Sequence, residues 1–391
     1  MRKRILASML SLCVILAFLP VWSAATDDLA NGDPHPQNTE DPGPLNIADG
    51  GIIFTETGYR QENAASEVTY NGPYTVSGTG TDTITVESGA EIDLTISNLD
   101  IDAENAPVIY VQAGATLHLT VEGNNSLTGG PGFAAICVEP AYDENWNYDA
   151  AGSAELYISG SGSLTAEGGD GDATAGTYGG GAGIGGGAIC DGGYISISSA
   201  TVAAEAGANE DSMGAAGIGG GNDSSVSSVI ISGGAQVTAI AHGGAAGIGG
   251  GTNTSYSNVH YGDMNGALTP ERVAVISISG EGTTVSARGG TNEGYSGNYG
   301  GAGIGSGYPT GNNARSVAFD ISITNGASVR AYGGYHAQAI GYGYRPTDFI
   351  GYGITLELDD TIFLWAQNAD YYQPALVATT EYDNGRTPVS Y

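Results

Sequence analysis

The sequence predicts an all-β protein, a single-stranded parallel β-helix with three faces and about 30 residues in its minimal coil. Three observations point there. A cassette built around isoleucine, Ala-Gly-Ile-Gly-Gly-Gly, recurs along the chain. Short alternating segments bounded by Gly, Asn or Ser turns begin at Ile52. A large apolar residue followed two positions later by a tiny one repeats beside them. No stretch of helical period stands out.

Residues 1–25 read as an export signal. Arg2-Lys3-Arg4 supply the positive start, Ile5 to Val21 the apolar run, and Ser23-Ala24-Ala25 the small-residue cleavage site. The run is short for a retained anchor and no stop-transfer flank follows, so the mature chain is expected outside the cell and off the membrane. Residues 26–50, with prolines at 34, 36, 42 and 44, lack apolar periodicity and read as a flexible acidic spacer. The repeats are expected over 51–366, with 367–391 as a cap or tail.

Each repeat divides into three strands. The first alternates, as in Leu117-His118-Leu119-Thr120-Val121, Leu156-Tyr157-Ile158, Ile195-Ser196-Ile197, Ile276-Ser277-Ile278, Ile321-Ser322-Ile323 and Ile354-Thr355-Leu356. The second is expected to begin at Ile101, Leu127, Leu164, Val202, Val237, Val285 and Val329. Two residues after each comes Ala103, Gly129, Ala166, Ala204, Ala239, Ala287 or Ala331. Residues two apart share a strand face, so both point into a narrow interior. The third strand is the cassette, with isoleucine at 109, 136, 184, 218, 248, 304 and 340. Its glycines permit close backbone approach and positive φ. The shortest spacing is 30 residues, and the longer ones are corner insertions, chiefly 139–153, 252–272 and 308–317. With rungs ~4.8 Å apart, the repeats would make a rod on the order of 40 Å long. Phe363-Leu364-Trp365 reads as a cap, with bulky side chains where earlier coils keep alanine.

Beyond the signal there is no lysine, and seven arginines face 42 acidic residues, leaving a mature net charge of −35. Such a surface disfavours nucleic acid and anionic membrane as partners. Two cysteines remain, Cys137 and Cys190, one and six residues past their isoleucines, so they are not expected to stack into a disulfide.

Two glycine-rich motifs mislead. Gly181-Ala182-Gly183-Ile184-Gly185-Gly186 has the spacing of a dinucleotide fingerprint, but Ala188-Ile189-Cys190-Asp191-Gly192-Gly193 cannot continue it as a helix. Gly168-Gly169-Asp170-Gly171-Asp172 begins like a calcium-binding nonapeptide repeat and occurs once. Calcium has a better argument from stacking. Glu167 and Glu205 are expected on adjacent rungs, with Asp170 and Asp172 on the turn beyond, and these hard oxygens suit Ca²⁺. The competing reading has both glutamates splayed into solvent. No cofactor is required by any motif, and no paired acid–base constellation of a polysaccharide lyase is visible.

Aromatics carry the functional reading. Tyrosine outnumbers phenylalanine 23 to 6, and many tyrosines fall in corner loops. Tyr142, Trp146 and Tyr148 follow one third strand; Tyr256, His260 and Tyr261, then Tyr308, then Tyr344 and Tyr352 follow later ones. Stacked in register, they would line one edge and offer apolar faces to pyranose rings. Tyr332 and Trp365 would form a second stripe. The competing reading is that tyrosine only covers the coil edges.

Tyr74-Thr75-Val76-Ser77-Gly78, Thr83-Ile84-Thr85-Val86-Glu87-Ser88-Gly89-Ala90, Leu117-His118-Leu119-Thr120-Val121-Glu122-Gly123-Asn124-Asn125-Ser126-Leu127 and Ile158-Ser159-Gly160-Ser161-Gly162-Ser163-Leu164-Thr165-Ala166 are characteristic. With the cassettes they resemble secreted glycine-rich proteins of Gram-positive gut and cellulolytic bacteria labelled as carbohydrate-binding domain proteins. The resemblance spans about 51–366. It implies a right-handed helix of pectate-lyase type that binds plant or bacterial polysaccharide, in some members with calcium. The expectation is therefore a monomeric, non-catalytic, extracellular polysaccharide-binding protein. The alternatives are an adhesive surface rod recognising a host or matrix protein, and a polysaccharide lyase.

Overall fold

The computed structural model describes residues 41–62, 64, 66–144, 148–172, 179–208, 213–252, 274–292, 299–308, 319–344, 354–369 and 375–376. The export signal, the first part of the spacer, Trp146, Tyr256, His260, Tyr261, Tyr352 and the tail after 376 lie outside them.

The described chain is all-β, and parallel pairing dominates its two large sheets, of 17 and 11 strands. Three ladders organise the pairing. The first takes in Thr116–Glu122, Glu155–Gly160, Gly192–Ser198, Val226–Ser232, Ala274–Ser279, Phe319–Thr324 and Ile354–Leu358, each parallel to the next. The second takes in Asn124–Thr128, Ser163–Glu167, Thr201–Glu205, Gln236–Ile240, Thr284–Arg288, Ser328–Tyr332 and Phe363–Gln367. Earlier in the chain, the long strands Tyr74–Gly80 and Glu91–Asp102 pair along most of their length, which joins these two ladders into one sheet. The third ladder is the cassette, and the chain visits the three in turn, once per repeat.

The third ladder stacks nine isoleucines in one column: Ile52, Ile84, Ile109, Ile136, Ile184, Ile218, Ile248, Ile304 and Ile340. All nine are fully buried. At about 1.5–3 kcal/mol for each fully buried side chain, this column contributes about 14–27 kcal/mol against chain entropy, one part of a core that runs the length of the repeats. Antiparallel strands Gly58–Gln61 and Val68–Thr69 close its amino-terminal edge.

The wall beside this column changes along the rod. Its outward neighbour is Thr85, Tyr110 or Cys137 on early rungs and glycine from Gly185 onward. Gly185, Gly219, Gly249, Gly305 and Gly341 all have φ between +130° and +145°. A Cβ built on Gly249 would lie 2.0 Å from the Gly305 carbonyl oxygen, so no side chain fits.

Several registers differ from expectation. Asn125, not Leu127, occupies the position of Leu164, and Leu127 stacks on Ala166. Asn125 is buried because its polar atoms are satisfied. Its Oδ1 accepts from the Leu99 amide at 2.9 Å, and its Nδ2 donates to the Glu122 carbonyl at 2.9 Å. Ile354 stacks on Phe319, so Leu356 rather than Ile354 continues the column of Ile321. Phe363 and Trp365 do not replace alanines. They pair with Ser328 and Arg330, while Ala366 continues the alanine column on Ala331. Their rings therefore face outward and are 62% and 40% exposed. Residues 45–49, which composition assigns to the spacer, belong to the fold: Leu45 pairs with Val76 and Ile47 is fully buried. The strand Val226–Ser232 supplies a rung that the alternating pattern misses, because Val229-Ile230-Ile231 does not alternate.

Substituting alanine at two glycines separates backbone strain from wall contact. Gly234→Ala, at φ +83° in open space, is expected to cost about 1 kcal/mol. Gly249→Ala is expected to cost about 3 kcal/mol or more. Urea unfolding midpoints of the two variants should differ in that order.

Candidate functional site

Four residues past Ile304 and Ile340, equal offsets from paired positions place Tyr308 and Tyr344 at one corner. Their ring centroids lie 5.7 Å apart at 29°. The Tyr308 amide donates to the Gly244 carbonyl at 2.6 Å and that of Tyr344 to the Gly300 carbonyl at 2.8 Å, so backbone bonds across rungs hold both. Gly244 makes room: a Cβ there would lie 2.8 Å from that of Tyr308. The antiparallel pair Thr291–Asn292 and Tyr299–Gly300 brings Tyr299 into a stack with Tyr308, 3.8 Å away at 26°. His336 adds a tilted ring 5.4 Å from Tyr344, and Tyr335 lies 4.1 Å from His336. All five side chains are partly exposed. Burial, and then the neighbouring Tyr299 and Tyr344, raise the Tyr308 phenol above its ordinary range, so it remains a hydrogen-bond donor at neutral pH. At the same offset on earlier rungs stand Asn222 and Thr252, both buried, so the tyrosine edge begins at the Ile304 rung.

The other described corner residues do not join this group. Tyr142 and Tyr148 pair in an antiparallel hairpin that follows the Ile136 rung. Four third-ladder steps separate that rung from the one carrying Tyr308, about 19 Å. The Tyr142 hydroxyl donates instead to Asp191 Oδ2 at 2.6 Å. Asp191 is buried, and the Ser225 amide donates to its Oδ1 at 2.5 Å. The hairpin is thus tied to two later rungs through one carboxyl group.

Glu167 and Glu205 do pair on adjacent rungs. Glu205 Oε1, however, lies 3.0 Å from His242 Nε2, and Asp170 Oδ1 accepts from the Ala208 amide at 2.7 Å. Among the described residues no group of three or more His, Cys, Asp or Glu is arranged to hold a metal ion. The expected quartet Glu167, Asp170, Asp172 and Glu205 is therefore not gathered into a calcium site. Cys137 carries a free thiol, so it forms no bridge to Cys190.

Two aromatic groups stand on strand faces instead of corners. Tyr332 and Trp365 meet at 4.6 Å, edge to face, as the second stripe expected. On the first ladder His118 stacks on Tyr157 at 5.0 Å and 21°, and Tyr157 meets Tyr194 at 5.4 Å and 46°. Reading only corner loops misses this group, although outward positions on alternating strands mark each member.

The Asp191 carboxyl predicts a pH dependence. Burial pushes its pKa up to about 7, against the lowering effect of the bonds from Tyr142 and Ser225. The native state holds this proton up to about pH 7, whereas the unfolded chain releases it near pH 3.9. Its stabilisation is thus complete below about pH 4 and is lost as pH rises through 7. Asp191→Asn removes the titration. Its melting temperature relative to the native sequence should rise between about pH 4 and pH 8.

A family model described as Carbohydrate-binding domain-containing protein matches residues 62–179. No curated protein and no solved structure matches the chain. The matched segment contains His118, the Tyr142 hairpin and Tyr157, and ends before the Tyr308 corner.

Proposed function

We propose that this is an extracellular, non-catalytic polysaccharide-binding protein, built as a right-handed, single-stranded parallel β-helix with three faces. The three ladders visited once per repeat support that architecture, and the right-handed crossover is the rule for parallel strands in one sheet. The observation that carries the function is the cluster of Tyr299, Tyr308 and Tyr344, with Tyr335 and His336 beside it. It places five partly exposed rings, four with phenolic hydroxyls, on two successive rungs. Aromatic surface packs against the C–H face of a pyranose while phenols bond its hydroxyls. The match to a carbohydrate-binding domain family supports the same ligand class.

The charge of the chain selects among glycans. The net charge of −35 over residues 26–391 opposes polyuronates and sulfated chains and tolerates neutral or cationic ones. Retention on a panel of insoluble neutral glycans tests the reading. The Tyr308→Ala/Tyr344→Ala double variant should bind about tenfold or more weakly with an unchanged far-UV circular dichroism spectrum. Failure of the native protein to be retained on any glycan would overturn it.

A further inference from the structure

The first-ladder face carries a second patch of different chemistry. Two outward columns run side by side there. One is Glu91, Thr116, Glu155 and Tyr194; the other is Asp93, His118, Tyr157 and Ser196. Three rung steps make the patch about 14 Å long, and residues two apart on a strand set the columns about 7 Å apart. Within it His118, Tyr157 and Tyr194 form a continuous aromatic ridge, and the Tyr157–Tyr194 pair is splayed by 46°. Carboxylates flank it closely. The Tyr157 hydroxyl donates to Glu155 Oε2 at 2.6 Å, and His118 Nε2 lies 3.6 Å from Glu91 Oε1. The bond to Glu155, then burial, raises the Tyr157 phenol, so it remains a protonated donor. The described arginines, Arg60, Arg288 and Arg330, all lie on other strand positions.

We propose that this patch binds pyranose units bearing a primary ammonium group, as in a de-N-acetylated amino-sugar polymer. A sugar ring supplies the C–H face that the ridge accepts. Its ammonium supplies a cation to Asp93, to Glu155, which has the Tyr157 hydroxyl beside it, and to Glu91, which has the His118 imidazole beside it, with the aromatic rings adding cation–π attraction. A neutral glycan would offer the three carboxylates no cation, and an anionic one would be repelled. This site is separate from the corner cluster and rests on the polysaccharide-binding reading only for its ligand class. His118, Tyr157, Glu91, Asp93 and Glu155 all fall inside the segment matched by the carbohydrate-binding domain family, which the corner cluster does not.

Isothermal titration with glucosamine tetrasaccharide, its fully N-acetylated counterpart and tetralysine tests the assignment. Because the whole surface is acidic, the titrations are run at about 0.15 M salt, where distant charges are screened. The glucosamine tetramer should bind about tenfold or more tightly than the N-acetylated one at about pH 5.5, where its amines are charged. Tyr157→Ala should remove that preference. Glu155→Gln, which keeps an acceptor for Tyr157, should weaken it about threefold or more with folding intact. In the Tyr308→Ala/Tyr344→Ala background, which removes the corner contribution, the glucosamine tetramer should still bind with the same sensitivity to Tyr157→Ala, so failure here is distinguishable from failure at the corner. Equal binding of the two tetrasaccharides would overturn the proposal. So would tetralysine binding as tightly with the same sensitivity to Tyr157→Ala, which would make the patch a docking surface for basic peptides.

Discussion

The structure depends on a close approach in the third ladder. Isoleucine fills the interior on every rung, and from Ile184 onward the residue beside it must be glycine. Successive glycines lie so close that the carbonyl of one occupies the place of a Cβ on the last: 1.9 Å at Gly185, 2.0 Å at Gly219 and Gly249, and 2.1 Å at Gly305. A φ near +130° at these positions is also barred to other residues. The wall is therefore thin and carries no side chain of its own. Exposed side chains on that side have to come from the residues that follow the wall, such as Tyr308 and Tyr344, or from hairpins folded over it, such as the one presenting Tyr299.

This constraint separates scaffold from ligand chemistry. On most rungs of the first and second ladders inward and outward side chains alternate, so the inward residues pack and the outward ones vary at little cost to the core. Successive rungs place His118 beside Tyr157 and Glu167 beside Glu205 without altering the interior. At the corners, Asn222, Thr252, Tyr308 and Tyr344 occupy equivalent positions with different side chains. The first two are buried and polar, and the last two are aromatic and partly exposed.

The isoleucine column from Ile109 onward was legible in the sequence because glycine-flanked isoleucine, which marks most of its rungs, has little else to do in a repeat. Ile52 and Ile84 carry no cassette and join the column only through pairing. Strand registers were less so. Leu127 and Ile354 were each placed two residues from their true partners. A shift of two preserves which face a side chain takes, so alternation alone cannot detect it. Asn125 hid the true register by putting an amide where neighbours have valine or leucine, and only its bonds to Leu99 and Glu122 explain it. A slip of one, which does exchange the faces, turned Phe363 and Trp365 into a supposed cap. At the corner, counting from isoleucine located Tyr308 and Tyr344. Tyr299 and His336 arrive through a hairpin and a turn whose geometry is not encoded by repeat spacing. The acidic quartet failed because a ladder fixes the backbone spacing of Glu167 and Glu205, not the direction of their carboxylates, and Glu205 turns to His242.

The central claim is that glycan meets the protein at the stacked corner tyrosines. Its most direct measurement is proton NMR of the protein with only its tyrosine rings observable, titrated with an oligosaccharide from a retained neutral glycan. The account predicts saturable shifts of the Tyr299, Tyr308 and Tyr344 ring signals, assigned by single Phe substitutions. Saturable binding that leaves those three signals in place would contradict it.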